Sequence, residues 1–179
     1  MAFRKLIAVA AVAIFSGCAT NYAVAPPGEV SRAIEIKDSS FDANITYTGP
    51  QVGSETRRGI FVDYETVQLV AMKSKKTGVV AYMVYASVLY SFDWRFYGSA
   101  SFQDGKQVDV RVMDRQVNSC SPSIGCIHTE SVVFLVDLDR LKSGGDLVFR
   151  LNSKGAAENI IKIPRSYIDG FLGGVPVTR

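Results

Sequence analysis

Histidine and tryptophan each occur once in this chain of 179 residues, and cysteine occurs three times. A single histidine, His128, leaves little material for a metal centre, because structural zinc wants four nitrogen or sulfur ligands. No GxSxG elbow, GxxxxGK phosphate loop or HExxH helix occurs, so the acyl-transfer, nucleotide and zinc-hydrolase classes that carry those motifs are not indicated. Charge of one sign is also scarce: 20 Lys and Arg stand against 17 Asp and Glu, for a net charge of +3. The basic clusters KSKK (Lys73 to Lys76) and TRR (Thr56 to Arg58) are short and read as solvated turns. They make no basic stripe, and no nucleic-acid partner is expected. There is no internal repeat, heptad or low-complexity tract.

What is present begins at the amino terminus. Arg4 and Lys5 precede an unbroken apolar run, LIAVAAVAIF, at Leu6 to Phe15. The run has ten residues, whereas a membrane-spanning helix needs about 20. A charged start followed by a short apolar stretch is the pattern of a secretory signal peptide. Two small residues, Ser16 and Gly17, then lead directly into Cys18.

FSGC at residues 15–18 resembles the lipobox of bacterial lipoproteins, with Phe15 where that family most often has Leu. The resemblance implies that residues 1–17 are removed and that diacylglycerol is joined to the Cys18 thiol. Cys18 would then be the first mature residue, acylated on its amino group as well. Two or more acyl chains hold a protein stably on a bilayer where one does so marginally. In double-membrane bacteria, Ala19 rather than Asp after the cysteine implies sorting to the outer membrane. Arg4 and Lys5 would leave with the leader, bringing the net charge close to neutral.

Residues 18–35, with Pro26, Pro27 and Gly28, read as a flexible tether, and residues 36–179 as a single domain. The domain's signal is β. Asn44 to Thr48 is a candidate strand, and Gly59 to Phe92 reads as two long strands joined across Lys75 to Gly78. From Trp94 to Phe102 the residues alternate, with Trp94, Phe96, Gly98, Ala100 and Phe102 expected on the buried face. An Asp-Gly turn at Gln103 to Lys106 returns the chain through Val108, Val110 and Val112. Further strands are expected in SVVFLVDLD, DLVFRL and NIIKI, with a helical turn at DLDRLKSGG and a closing helix at IPRSYIDGFLGG. Seven or eight strands with short connections predict an all-β antiparallel sandwich, with one or two short helices near the C-terminus.

Five residues including Pro122 and Gly125 separate Cys120 from Cys126. With Cys18 lipidated, these two remain as a pair in an oxidising compartment, and a disulfide between them is expected. Closing so small a loop removes roughly 2 kcal/mol of chain freedom from the unfolded state. A soft-metal site adding His128 is the weaker reading, since no fourth ligand is at hand. His128 and Glu130 would share a strand face, which suggests an acid-base pair, but no nucleophile is marked beside them. His128 is therefore expected at the surface, and Asp137 or Asp139 is expected to cap the helical turn. The aromatic residues Tyr82, Tyr85, Tyr90, Trp94, Phe96 and Tyr97 serve as core or as a ligand groove, with Tyr97 the one expected on a polar face.

These features predict a lipid-anchored envelope protein with an envelope partner, no cofactor and no metal, acting as a binding or accessory module. The alternatives are an enzyme built on His128 and a small-ligand carrier with an aromatic cavity.

Overall fold

The computed structural model describes residues 20–123, 125–155 and 157–176, and Cys18 and Ala19 lie outside them. The Val- and Tyr-rich stretch folds as the hairpin β4 (Phe61–Ser74) and β5 (Val80–Ser91). In each strand every second residue points inward, from Val67 to Ala71 and from Tyr82 to Tyr90. Before the hairpin come α1 (Pro27–Arg32), β1 (Glu35–Lys37), β2 (Asn44–Thr48) and β3 (Val52–Arg58). After it come β6 (Ser99–Phe102), β7 (Gln107–Asp109), β8 (Arg111–Ser121) and β9 (Gly125–Leu135). The chain continues through α2 (Leu138–Lys142), β10 (Leu147–Asn152), β11 (Glu158–Ile163) and α3 (Arg165–Gly174).

These strands form an antiparallel sandwich. One sheet has seven strands, ordered β1-β2-β4-β5-β9-β8 with β3 also on β4, and the other has four, ordered β11-β10-β6-β7. The all-β sandwich expected from the alternation is what the chain forms, with more and shorter strands than anticipated. The single return strand expected after the Asp-Gly turn is in fact two. The chain changes sheets at Val110, so β7 pairs β6 while β8 pairs β9.

Apolar side chains from both sheets fill one half of the interior. Leu69, Val84, Val132 and Phe134 of the larger sheet meet Phe149, Leu151, Ile161 and Ile163 of the smaller one. On the outer edge of β4, β3 serves the first half and β2 the second. At the junction Leu69 has no strand partner on that side, yet its backbone groups are satisfied. Its carbonyl accepts the Gly49 N–H at 2.9 Å, and its N–H donates to the Tyr167 hydroxyl at 3.3 Å. The same hydroxyl donates to the Pro50 carbonyl at 2.6 Å, so α3 closes the gap between the two edge strands. An orphaned buried N–H costs about as much as a lost hydrogen bond, so this contact fixes where α3 sits.

The sequence boundary at residue 36 is corrected by this structure. Ala25 and Val30 are buried, and Tyr22 and Ala23 pack on the core. The segment read as a flexible tether is therefore docked from Tyr22 onward. Its dock depends on Gly170 and Gly174, which fall one turn apart on α3. A Cβ on Gly170 would overlap the Pro27 carbonyl and Val30, and one on Gly174 would overlap Ile34 and Ser31. The glycines that weaken the α3 signal in sequence are thus the notch that receives α1.

Two opposing effects meet at these glycines. Replacing a helical glycine by alanine gains up to about 1 kcal/mol in helix propensity, whereas overfilling a packed contact costs about 1–3 kcal/mol. Gly170→Ala is expected to destabilise the protein by about 1–3 kcal/mol. Gly173→Ala, whose Cβ would meet nothing within 4 Å, is expected to be neutral or mildly stabilising. Urea melts of the two variants read the difference.

Candidate functional site

The inward stripe of β4 continues past Val67 into Glu65 and Asp63, and that of β9 runs back from Val132 to Glu130 and His128. Cross-strand register sets Ser54, Glu65, Val88, Glu130 and Arg115 in one row across four ladders. Charged groups therefore enter the sandwich at this end. Asp63, Glu65, His128, Glu130 and Asn159 are each at most 4% exposed. The covering layer is the crossover strap, residues 92–98, which carries the chain from β5 to β6.

Arg95 of the strap centres the cluster. Its guanidinium grips both oxygens of Asp63, Nη1 to Oδ2 at 2.7 Å and Nη2 to Oδ1 at 2.8 Å. It also stacks 4.1 Å above the Tyr90 ring and donates to Tyr97 Oη and Asn159 Oδ1. Asn159, from the opposite sheet, receives the Tyr97 hydroxyl at 2.5 Å and donates to both Asp63 and Glu65. Arg58 adds a second cation to Asp63 at 2.9 Å, and Ser54 donates to Glu65 at 3.0 Å.

Glu130 organises the other side. Its Oε1 accepts the Tyr90 hydroxyl and the backbone N–H groups of Arg95 and Phe96, at 3.2 and 2.9 Å for the last two. Its Oε2 accepts Arg115 at 2.9 Å. Three buried carboxyl groups thus meet one buried guanidinium, that of Arg95, and two partly exposed ones, those of Arg58 and Arg115, in a region where unpaired charge would be costly. Burial alone pushes the Asp63 carboxyl up, but hydrogen bonds from Arg95, Arg58 and Asn159 hold it below its ordinary value. Glu130 is likewise lowered overall, its burial outweighed by Tyr90, Arg115 and the Phe96 N–H. Burial raises the Tyr97 phenol to about 12. The arrangement holds charges in place, with both oxygens of Glu130 accepting hydrogen bonds.

Several expected positions are corrected here. His128 is interior, not superficial: its ring lies 4.2 Å from Trp94 and 5.7 Å from Tyr90. It forms no dyad with Glu130, and among the described residues its Nδ1 has no hydrogen-bond partner. The face assignment from residue 94 to residue 98 is inverted, because Arg95 and Tyr97 point inward while Phe96 is 39% exposed. The strap is irregular, with Phe92 and Phe96 at φ of 81° and 52°, and the phase slips before β6 begins. The basic pair after Thr56 is in a strand, not a turn, and Arg58 reaches into the cluster.

The six aromatics do not share a cavity wall. Tyr82, Tyr90 and Tyr97 are buried, and Tyr85 alternates with them onto the outer face. Asp137 stands at the N-cap of α2, but its carboxylate pairs with Lys106 at 2.6 Å and makes no capping bond. Cys120 and Cys126 face each other at the tip of the β8–β9 hairpin with their sulfurs 2.03 Å apart, a disulfide distance. Among the described residues, no three His, Cys, Asp or Glu side chains gather as a metal site, and no helix is long and apolar enough to cross a membrane.

The strap's outer side forms the surface over this cluster. Phe92 packs edge-on against Phe61 at 4.5 Å, beside the exposed Ile60, and Phe92 N–H donates to the Cys126 carbonyl. Trp94 and Phe96 follow, with Arg115 4.9 Å and Lys154 5.8 Å from the Phe96 ring. Glu130, by binding two strap N–H groups, holds this aromatic row to the sheet beneath.

The fold and this cluster define a β-sandwich whose ionic interior clamps an aromatic strap. Comparison with protein-family models, with curated proteins and with solved structures finds no match.

Removing either partner of a buried ion pair strands the other. Asp63→Ala and Arg95→Ala are each expected to cost about 3–5 kcal/mol of stability. The double variant should cost clearly less than their sum, which urea melts of the full cycle would read. Strict additivity would show that the two side chains are not coupled.

The lowered carboxyls also fix a pH dependence. Their stabilisation is complete above the ordinary carboxylate value of about 4 and is lost as pH falls through their lower folded values. Thermal midpoints should hold from neutral pH down to about pH 5 and then drop. Asp63→Asn should shrink that acid-side drop.

Proposed function

We propose that the protein is a bacterial envelope lipoprotein, anchored through acylated Cys18, whose sandwich acts as a non-enzymatic binding module through its aromatic strap. The outer membrane is the proposed address, from Ala19. One observation carries the module reading: Phe92 and Phe96 are exposed on backbone in the left-handed region, held there by the Cys126 carbonyl and by Glu130 respectively. Bulky residues adopt such conformations at a cost of about 1–3 kcal/mol, and sites that bear this cost cluster where side chains must be presented. Aromatic residues and Arg are enriched among the anchors at protein interfaces, which favours an envelope protein as the partner.

The burial of His128 beside Trp94 and Tyr90, with no hydrogen bond to Glu130, weighs against the enzyme alternative. The carrier alternative lacks a shared aromatic wall.

The test is complementation of a deletion strain. Phe92→Ser with Phe96→Ser should leave the protein folded and membrane-bound but unable to complement. Full complementation by that folded variant would overturn the strap as the contact face. An unmodified Cys18 in the intact mass of the membrane fraction would overturn the anchor.

A further inference from the structure

The lipid-anchor reading, on which this inference rests, acquires a geometric consequence from the dock of α1. Thr20 and Tyr22 line a pocket with Glu29, Arg32 and Ala33 at the end of α1, and Ala25 and Val30 behind them are buried. The first residue that packs on the domain, Tyr22, thus stands four residues after Cys18. Four residues reach at most about 14 Å when fully extended. The polar interfacial layer on one side of a bilayer is itself about 5–8 Å thick. A flexible segment over residues 18–35 would instead have held the domain some 20–25 Å off.

We propose that the domain rests directly against the bilayer, through the surface around α1, β1 and the β1–β2 loop. The apolar side chains on that stretch are unusually open: Val24 is 79% exposed, Ile36 60% and Phe41 97%. They lie close in sequence to the first docked residues. Ala33 touches the Thr20 pocket, Ile36 follows three residues later in β1, and the next loop carries Phe41. Lys75 steadies that loop through Asp38 and the Ser39 carbonyl, both at 2.6 Å.

Charges on this surface are balanced. Arg32, Lys37 and Lys75 alternate with Glu29, Glu35, Asp38 and Asp42, and Lys37 pairs Asp42 at 3.7 Å. The contact is therefore apolar and tether-driven, and it does not require anionic lipid. The occupant is the same bilayer that holds the acyl chains.

Bromolipid quenching of tryptophan tests this in acylated protein reconstituted into phosphatidylcholine vesicles. The lone native tryptophan, Trp94, lies at the opposite end of β4 from this loop and should keep its fluorescence. The double variant Phe41→Trp, Trp94→Phe should lose fluorescence to lipid brominated near the headgroup, in neutral and anionic vesicles alike. A far-UV circular dichroism spectrum matching the wild type establishes that the variant is folded. A long Gly-Ser insertion between Ala19 and Thr20 should abolish the quenching while the protein stays on the vesicle. An acylated, vesicle-bound double variant that is not quenched overturns this inference and leaves the anchor reading standing. Quenching that survives the insertion overturns the short tether as its cause. An unacylated Cys18 removes the anchor and this inference with it.

Discussion

The two-point grip of Arg95 on Asp63 sets the spacing of the sheets at one end of the sandwich. Apolar side chains space sheets by filling volume, and they tolerate repacking. A buried ion pair is less forgiving, because a guanidinium and a carboxylate brought out of water each lose several kcal/mol of hydration. That loss is offset only when every lone pair and proton is met. Here Asn159 reaches across from β11 to Asp63 and Glu65, Tyr97 caps Asn159, and Arg58 approaches from β3. Strands from both sheets and the strap must therefore stand in one relative position for the network to close.

Register follows from the same constraint. A slip of one residue in β4 would turn Asp63 and Glu65 to the outside and bring Tyr64 and Thr66 in. An all-apolar interior would penalise that slip through lost packing alone. This one adds stranded partners: Arg95 would lose Asp63, and Asn159 would lose both of its acceptors. The apolar half of the interior supplies most of the driving force, at about 25 cal/mol per Å² buried, and the ionic half selects a single alignment. Glu130 extends the selection to the strap, whose outward aromatics are placed by hydrogen bonds to backbone rather than by strand pairing.

Much of the sandwich is readable from period-two alternation, most plainly in the β4–β5 hairpin, where apolar residues mark both the strands and their inner face. The ionic cluster left a signal too. Asp63 and Glu65 are in phase with Val67, Leu69 and Ala71, and His128 and Glu130 are in phase with Val132 and Phe134. Charged residues in phase with a core stripe on two strands point to a buried network, a clue that a search for catalytic motifs passes over. The strap was not readable, since alternation cannot register the two left-handed residues that invert its faces. β3 was hidden because only Val52 is buried, its neighbour β4 supplying the pairing that its own composition does not advertise. The dock of α1 was hidden because its receptor is an absence of side chains on α3.

The two distinctive surfaces are set apart by the length of one strand. β4 has 14 residues, which at about 3.3 Å each spans some 45 Å. Ser74 at its end neighbours Lys75 and the loop that bears Phe41, while Phe61 at its start packs against the strap residue Phe92. A single continuous element thus connects the proposed bilayer contact to the proposed partner contact. Hydrogen bonds along both of its edges make it stiff over that distance. In the proposed arrangement a partner on the strap would engage without competing with the membrane. The proposed short tether and the long strand would then be complementary: the reach that such a linker lacks would be supplied by the fold.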